Sequence, residues 1–325
     1  MKVYYQKANE SWIIDRIGEE FKEHSSHDVR FKFDGINNFD FDVIWLGASY
    51  AWRMITQEVS DLKRILEKTT TLCTIHHIVP WKWSEERYRE FMVRDQFIDV
   101  YHTYTEQTSS MISQISKKPV IVIPHWINSK NWYPIEKGKC RRDLCLNQNS
   151  FIIGSFQRDT EGSDLESPKL EKGPDIFIDI CKSFNMNKWN VEILLGGNRR
   201  QYIIKELSRS GIPYKYFENA ELETVNKMYS ACDLYAVSSR CEGGPQAIFE
   251  ASATRTNIIS TDCGQSKNIL DSRCIYPISL IESDDYVNYE VPDSSCIDTN
   301  YENVMKYEVT NHINHYDGII SEISK

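Results

Sequence analysis

Two glutamates on either side of a glycine-containing turn are the residues best suited to chemistry in this sequence. They are Glu242 and Glu250, in the stretch SSRCEGGPQAIFEA that begins at Ser238. A strand-like run precedes the turn Gly243-Gly244-Pro245 and a helical run follows it. The glycines let a backbone approach a ligand closely, and the proline suits the first helical position, where free N–H groups face an anion. Carboxylates beside a bound diphosphate would accept hydrogen bonds from sugar or ribose hydroxyls. A capped surface helix with an incidental glutamate pair is the alternative.

Cations that could neutralise such a diphosphate lie upstream. The segment GSFQRDTEGSDLESPKLEKGPD, after another strand-like run, contains Arg158, Lys169 and Lys172. Arginine suits bidentate phosphate contact, and lysine acts as a compact point charge. Because acidic residues are interspersed, a solvated charged loop is the alternative. A second strand-to-helix turn, LLGGNRRQY, places Gly197, Arg199 and its neighbour Arg200 where they could flank the same phosphates.

The elements that would position these residues alternate between β-branched runs and helical periods, as in a parallel sheet covered by helices. The predicted strands of the first half are Lys2–Tyr5, Val43–Leu46, Thr71–Ile75, Ile98–Tyr101 and Val120–Ile123. Those of the second half are Phe151–Gly154, Val191–Leu195, Leu234–Val237 and Ile258–Ser260. The predicted helices between them are Gly173–Phe184, Arg200–Arg209, Glu221–Ala231 and Pro245–Thr254.

The length of 325 residues exceeds the usual span of one hydrophobic core. We therefore predict an α/β protein with two Rossmann-like domains, residues 1–135 and 136–300. A helical tail over 301–325 could pack back on the first domain.

The second half resembles the donor-binding domain of family-4 retaining glycosyltransferases, which have the GT-B architecture of two Rossmann-like domains facing across a cleft. The matching features are Glu242-x7-Glu250 with its Gly-Gly-Pro turn, Arg158 and the pair Lys172-Gly173, and the similarity covers about residues 150–270. The resemblance implies that Glu242 holds hydroxyls of the donor sugar and Glu250 holds ribose hydroxyls. It also implies that Arg158 and Lys172 hold the diphosphate, with Lys169 replacing or supplementing Lys172 because the intervening loop is long.

The first domain resembles that family only loosely. His76, in TIHHIVP, matches a strand-end histidine that faces the donor sugar, although a histidine capping a strand in the core is the alternative. The glycine-rich turn expected near Gln6–Ser11 reads QKANES and has no glycine. Asp40-Phe41-Asp42 matches the metal-binding DxD of the other large glycosyltransferase fold, but it directly precedes the strand VIWL. We interpret it as the polar start of a strand, and we expect neither a metal nor a cofactor beyond the nucleotide-sugar substrate.

Composition narrows the function classes further. Hydrophobic residues make up 41% and charged residues 26%, which indicates a globular chain. The net charge of −9 argues against nucleic-acid binding. Nine cysteines without a CxxC pair favour buried reduced thiols over a metal site. The first residues lack the features of a signal peptide and no 18-residue apolar run occurs, so we predict a cytoplasmic protein. Peripheral contact with the inner membrane surface stays open, because some relatives work there.

Together these features predict an enzyme that moves a sugar from a nucleotide-diphosphate donor to an acceptor hydroxyl. The resemblance implies a hexosyltransferase-like, retaining reaction in glycan or glycolipid assembly, with the glycan or glycolipid as acceptor. Stabilisation of the leaving diphosphate by Arg158, Lys172 and helix N–H groups would be the central catalytic effect. Two alternatives remain: a sugar-nucleotide epimerase or hydrolase of the same fold, and a catalytically silent sugar-nucleotide-binding module. The missing glycines near Gln6–Ser11 favour the silent module.

Overall fold

The computed structural model describes residues 1–8, 13–32, 40–52, 68–186, 189–283 and 287–324. The chain divides into two compact units. Unit 1 comprises Met1–Trp126 together with Val309–Lys325, and unit 2 comprises Ile127–Glu308.

Each unit is built on a six-stranded sheet in which every paired strand runs parallel to its neighbour. The strands of unit 1 are β1 (Lys2–Gln6), β2 (Asp28–Arg30), β3 (Val43–Leu46), β4 (Thr70–Thr74), β5 (Val100–Thr103) and β6 (Val120–Val122), in the order β2-β1-β3-β4-β5-β6. Those of unit 2 are β7 (Phe151–Ser155), β8 (Val191–Gly196), β9 (Tyr214–Phe217), β10 (Leu234–Val237), β11 (Ile258–Thr261) and β12 (Ile275–Tyr276), in the order β12-β11-β10-β7-β8-β9.

Helices lie between most of the strands in the part of the chain that the structure describes, as is usual for parallel pairing. Within the described residues of unit 1 they are α1 (Ile13–His24), α2 (Glu85–Asp95), α3 (Glu106–Ile115) and the C-terminal α12 (Val309–Ile323). Those of unit 2 are α4 (Lys137–Asp143), α5 (Pro174–Met186), α6 (Gln201–Ser210), α7 (Leu222–Ala231), α8 (Gln246–Ala253), α9 (Ser266–Ile269), α10 (Ile278–Ile281) and α11 (Ser295–Met305).

All nine predicted strands are present, most of them within one residue of their predicted ends. The exception is Ile98–Tyr101, where the strand runs from Val100 to Thr103. Asp99 accounts for the later start of the strand. Its carboxylate accepts a hydrogen bond from the backbone N–H of Thr71 at 2.9 Å, so Asp99 belongs to the loop and the strand begins after it. β2, β9 and β12 are not among the nine predicted strands. β2 and β12 have three and two residues, too few to show a periodic pattern. β9 has one exposed and three half-buried residues and so lacks a buried apolar run.

The predicted domain boundaries need correction at both crossings between the units. Residues 127–135 were assigned to the first domain but lie in unit 2. There the backbone N–H of Tyr133 donates to Asn226 Oδ1 at 3.3 Å, and that of Ile135 donates to Ser230 Oγ at 3.2 Å. Residues 301–308, assigned to the tail, also lie in unit 2, whereas α12 lies in unit 1.

The core of unit 1 is centred on Trp45 of β3, whose side chain is 1% exposed. Its ring stacks on Tyr316 of α12 with centroids 5.7 Å apart and meets Phe21 of α1 edge to face at 4.9 Å. The indole N–H donates to Thr74 Oγ1 at 2.8 Å, which satisfies the buried polar atom. The first and last helices of the chain therefore share one core.

The DxD sequence holds the start of the first strand. Asp42 Oδ2 accepts the backbone N–H of Lys2 at 2.8 Å, and Asp40 pairs with the Lys2 ammonium at 2.6 Å. This contact agrees with a polar strand start. Residues 9–12 lie outside the described residues, so of the segment Gln6–Ser11 the structure describes only the part that ends at Ala8.

The nine cysteines are free, and seven of them are buried. Among the described helices, none combines the length and the apolar character needed to cross a bilayer.

A carboxylate fixes α12 to unit 1, and its removal should destabilise that unit. Asp317 is 8% exposed and accepts hydrogen bonds from Ser25 Oγ, Ser26 N and Ser26 Oγ at 2.6–2.7 Å. Replacing it by alanine removes the acceptor of three hydrogen bonds from the half-buried Ser25 and the exposed Ser26, so Asp317→Ala should lower the free energy of unfolding by about 1–2 kcal/mol. Denaturant titration would measure the change. Glu322→Ala, at an exposed position of the same helix, is the control and should differ from the wild type by less than about 0.5 kcal/mol.

Candidate functional site

An ion pair at the carboxyl edge of the unit 2 sheet forms the centre of the candidate site. Lys172 Nζ pairs with Glu242 Oε1, and the two side chains are 20% and 8% exposed. Lys172 lies in the loop after β7 and Glu242 in the loop after β10. β7 and β10 are neighbours, so their carboxyl ends meet at the same edge. This is the edge at which ligands bind in open α/β sheets.

Two polar side chains hold this pair in place. Ser239 Oγ lies 3.1 Å from Glu242 Oε1 and 3.1 Å from Gln157 Oε1. The amide nitrogen of Gln157 donates to the backbone carbonyl of Lys172 at 2.9 Å. Gln157 and Ser239 thus connect the backbone of Lys172 to the carboxylate of Glu242. These contacts join the ends of strands that lie far apart in the sequence. No local motif could therefore predict them.

The backbone of the two loops meets at Gly173. This residue has φ +56° and lies against Ser238, so closely that a Cβ built on it would be 1.8 Å from the Ser238 carbonyl oxygen. Only glycine can occupy this position, for its left-handed conformation and for its lack of a side chain. The sequence Lys172-Gly173 therefore has a geometric reason. The glycine lets the two loops lie close enough for the lysine to reach Glu242.

Lys169 and Arg158 share the electrostatic environment of Lys172. The Lys169 side chain is 23% exposed and its ammonium lies 3.6 Å from Glu171 Oε1. Its pKa is lowered, first by burial and then by the positive charge of Lys172, with a smaller contribution from Arg158. Arg158 donates from Nε to the carbonyl of Thr160 at 2.8 Å. The three predicted cations thus lie within electrostatic range of one another, at one edge of unit 2.

Arg199 and Gly197 belong to the next strand end and border the same loop. Gly197 has φ +83°, and Arg199, also left-handed with φ +60°, donates through its guanidinium to the carbonyl of Gly162. The Arg199 carbonyl accepts the N–H of Asp159 at 3.1 Å. The loop between Arg158 and Lys172 is therefore bound to the β8–α6 turn.

The interpretation of Arg200 as a phosphate-flanking residue is wrong. Its side chain is fully buried and forms an ion pair of 3.1 Å with Asp159. It also donates to the Gln157 carbonyl and to Ser155 Oγ. Burial raises the pKa of Asp159 to about 6, although the Arg200 guanidinium opposes that shift. Arg200 therefore acts inside the domain, joining the carboxyl ends of β7 and β8 beneath the site.

The turn after Glu242 leads into a helix without a side-chain cap. α8 begins at Gln246, one residue later than predicted, and Pro245 is its N-cap residue and not its first helical residue. Within the described part of the chain, no side chain caps the helix start and no acidic residue lies in its first turn. Gly264, in the loop after β11, lies against the turn, because a Cβ on it would be 2.8 Å from Pro245 Cδ. Gly243 and Gly244 do not adopt positive φ, so a left-handed backbone does not account for them.

Glu250, the second predicted glutamate, lies on α8 and is 7% exposed. The Tyr229 hydroxyl donates to its Oε2 at 2.8 Å. Tyr229 packs against Phe156, the residue after β7, with ring centroids 4.8 Å apart. Glu250 therefore has one oxygen fixed by a tyrosine on α7, behind the turn that holds Glu242.

His76 lies just after β4 in unit 1, whereas the residues above belong to unit 2. Its Nε2 lies 3.0 Å from the Gly47 carbonyl, an arrangement in which the ring N–H donates. Its ring faces Tyr104 at 5.3 Å and His125 at 6.4 Å, and these two stack on each other at 3.4 Å. Burial lowers the pKa of His125, and the neighbouring His76 contributes to that shift. His76 thus belongs to an aromatic cluster at the carboxyl edge of the unit 1 sheet.

Part of the chain matches a known protein family. Residues 167–273, which include Lys169, Lys172, Glu242 and Glu250, match the family model of glycosyl transferases group 1. Comparison with curated proteins gives no significant match.

Solved structures resemble the whole chain. HepE from Anabaena in complex with UDP-glucose is 14% identical, with 99% of each chain covered and a TM-score of 0.73. A glycosyltransferase from Rickettsia africae is 13% identical, with 99% of this chain and 98% of that chain covered and a TM-score of 0.64. Sucrose-phosphate synthase from Thermosynechococcus elongatus is 14% identical, with 95% and 75% covered and a TM-score of 0.55. The predicted fold class, GT-B with two Rossmann-like domains, is confirmed.

In the described part of this chain, no three His, Cys, Asp or Glu side chains are grouped so that they could hold a metal ion.

The contact at Gly173 generates a test of the site geometry. Gly173→Ala should be less stable than Gly211→Ala by about 1–3 kcal/mol, because both have positive φ but only Gly173 would place a Cβ in a backbone carbonyl. A Cβ added to Gly211 would meet no described atom within 4 Å, so this variant reports the conformational strain alone. Chemical denaturation of both variants would measure the difference. Equal destabilisation would mean that the two loops are not in contact.

Proposed function

We propose that this chain transfers a sugar from a nucleotide-diphosphate donor to an acceptor hydroxyl. The observation that carries the proposal is the pairing of Lys172 with Glu242, which lies in the loop that leads into the uncapped start of α8. Lys169 and Arg158 lie within electrostatic range of this lysine or of each other. Cations and free helix N–H groups recognise a diphosphate, and a neighbouring carboxylate recognises hydroxyls. The match to glycosyl transferases group 1 over this region supports the same function.

Charge balance suggests how a donor would change the site. In the structure, Lys172 is neutralised by Glu242. A diphosphate carries more negative charge than one carboxylate, so it would compete for the ammonium and release Glu242 toward the hydroxyls of the sugar. As the bond to the anomeric carbon breaks, Lys172, Arg158 and the N–H groups of α8 would stabilise the departing nucleoside diphosphate. Glu250, whose carboxylate accepts a hydrogen bond from Tyr229, would accept hydrogen bonds from the ribose hydroxyls.

The finer features of the reaction are part of the proposal. They are retention of anomeric configuration, no requirement for a metal or cofactor, a glycan or glycolipid acceptor, and a place in the cytoplasm or at the inner membrane surface. His76, beside Tyr104 and His125, is proposed to face the donor sugar. UDP-glucose bound to the Anabaena structure and UDP bound to a second structure of that protein support a nucleotide-sugar partner.

An assay of donor consumption with and without acceptors tests this function against its rivals. Transfer requires an acceptor. Epimerised or hydrolysed donor in the absence of an acceptor would favour the epimerase or hydrolase. Donor binding without turnover over an acceptor panel would favour a silent binding module. A thermal-shift screen of nucleoside diphosphates and their sugars would identify the donor, because a ligand of the native state raises the melting temperature.

Two substitutions test the assigned roles once a donor is known. Arg158→Ala should reduce kcat by about tenfold or more, because a charge contact to the leaving group is lost. Glu242→Gln should raise KM for the nucleotide sugar more than it raises Kd for the free nucleoside diphosphate, because it affects sugar hydroxyls. Steady-state kinetics and calorimetry would measure both. Lys205→Ala, a surface lysine of α6 with 48% side-chain exposure, is the control. Wild-type kinetics in both site variants would refute the assignment.

A further inference from the structure

Arg240, two residues before Glu242, binds two carboxylates near the candidate site. Its guanidinium binds Asp175 through two hydrogen bonds of 2.8 and 2.7 Å and donates from Nε to Glu282 at 2.7 Å. It also donates to the carbonyl of Leu170 at 3.2 Å. The side chain is 18% exposed. With two carboxylates bound, its charge is already compensated, and the side chain is committed to these partners.

These contacts surround the turn that carries Lys172. Leu170 precedes the lysine by two residues and Asp175, in the first turn of α5, follows it by three. The backbone N–H groups of Arg240 and Cys241 both donate to the carbonyl of Glu171, at 2.9 and 3.1 Å. Arg240, in the loop between β10 and α8, therefore contacts the turn that carries Lys172 on both sides of the lysine. The same loop places Glu242 next to that lysine.

We propose that Arg240 is a positioning residue of the donor site, which sets the place of Lys172 relative to Glu242 and thereby the recognition of the diphosphate. This inference rests on the proposed function. Arg240 acts through Lys172 and does not itself contact the donor. The two ligands of the guanidinium contribute unequally: Asp175 is bound by both terminal nitrogens, whereas Glu282 is bound once and its side chain is 48% exposed. Asp175→Asn should therefore impair the site more than Glu282→Gln.

The test compares nucleotides that differ by one phosphate. UDP and UMP, with the guanosine and adenosine pairs in parallel, are titrated calorimetrically against wild type, Arg240→Ala and Arg240→Lys. For the nucleotide pair that the wild type binds, Arg240→Ala should weaken the diphosphate by about tenfold, the scale of a charge-assisted contact, and the monophosphate by less than about twofold. Arg240→Lys should restore part of the affinity, because lysine keeps the charge without the bidentate fork. A merely destabilised domain would weaken both nucleotides alike.

Arg273→Ala is the matched control. Arg273 forms the same kind of pair with Asp271, at 2.9 Å, elsewhere on unit 2, and its side chain is 53% exposed. This variant should bind the diphosphate as the wild type does.

A double-mutant cycle with Lys172→Ala decides whether Arg240 acts through the lysine. If it does, the double variant should bind the diphosphate no more weakly than Lys172→Ala alone. Additive losses would show an independent role and overturn the inference, as would wild-type affinity in Arg240→Ala.

Hydrogen exchange separates this inference from the proposed function. If the wild type binds no nucleotide, the proposed donor site is wrong, and the positioning role is judged without ligand. The N–H groups of Lys172 and Gly173 are bonded to the carbonyls of Lys169 and Leu170 at 2.8 and 2.9 Å. Their exchange should accelerate by about tenfold or more in Arg240→Ala and not in Arg273→Ala. Unchanged exchange would refute the positioning role.

Discussion

The candidate site depends on one close approach of backbone to backbone, that of Gly173 to the carbonyl of Ser238. Because no side chain intervenes, the loops after β7 and β10 can lie in contact, and Lys172 and Glu242 pair across the junction. The other contacts follow from this one: Gln157 and Ser239 bridge the two loops, and Arg240 binds the turn from the side. The short distance between the two main chains thus sets the positions of the functional groups. The side-chain hydrogen bonds then hold the two loops together.

The site is electrostatically balanced before any ligand arrives. Burying an unpaired charge is costly, so partly buried cations need carboxylates nearby. Lys172 has Glu242, Lys169 has Glu171, and Arg200 beneath them has Asp159. The acidic residues between Arg158 and Lys172, which favoured a solvated loop as the alternative, therefore have two different roles. Some lie within the site as counter-ions, whereas Asp164 caps its own loop by accepting from Glu166 and Ser167.

The sequence predicted the elements better than the connections between them. Strands such as Val43–Leu46 and Leu234–Val237 were predicted to the residue, because both are short apolar runs buried along their whole length. The boundaries of the units were not, because residues 127–135 are polar and aromatic and their place is set by Asn226 and Ser230, some 90 residues away. Site residues with a local motif, such as Glu242, could be found. Arg240 could not, because its partners Asp175 and Glu282 are 65 and 42 residues distant.

The return of α12 to unit 1 has a consequence for biosynthesis. Tyr316 and Asp317 complete a core whose strands lie in the first 122 residues, so that core stays open until the last helix leaves the ribosome. All of unit 2 is synthesised in between, and it has its full set of strands and helices first. We expect the order of folding to be the reverse of the usual amino-to-carboxyl order of domains. The apolar face around Trp45 that α12 covers would then stay exposed on the nascent chain until α12 is synthesised.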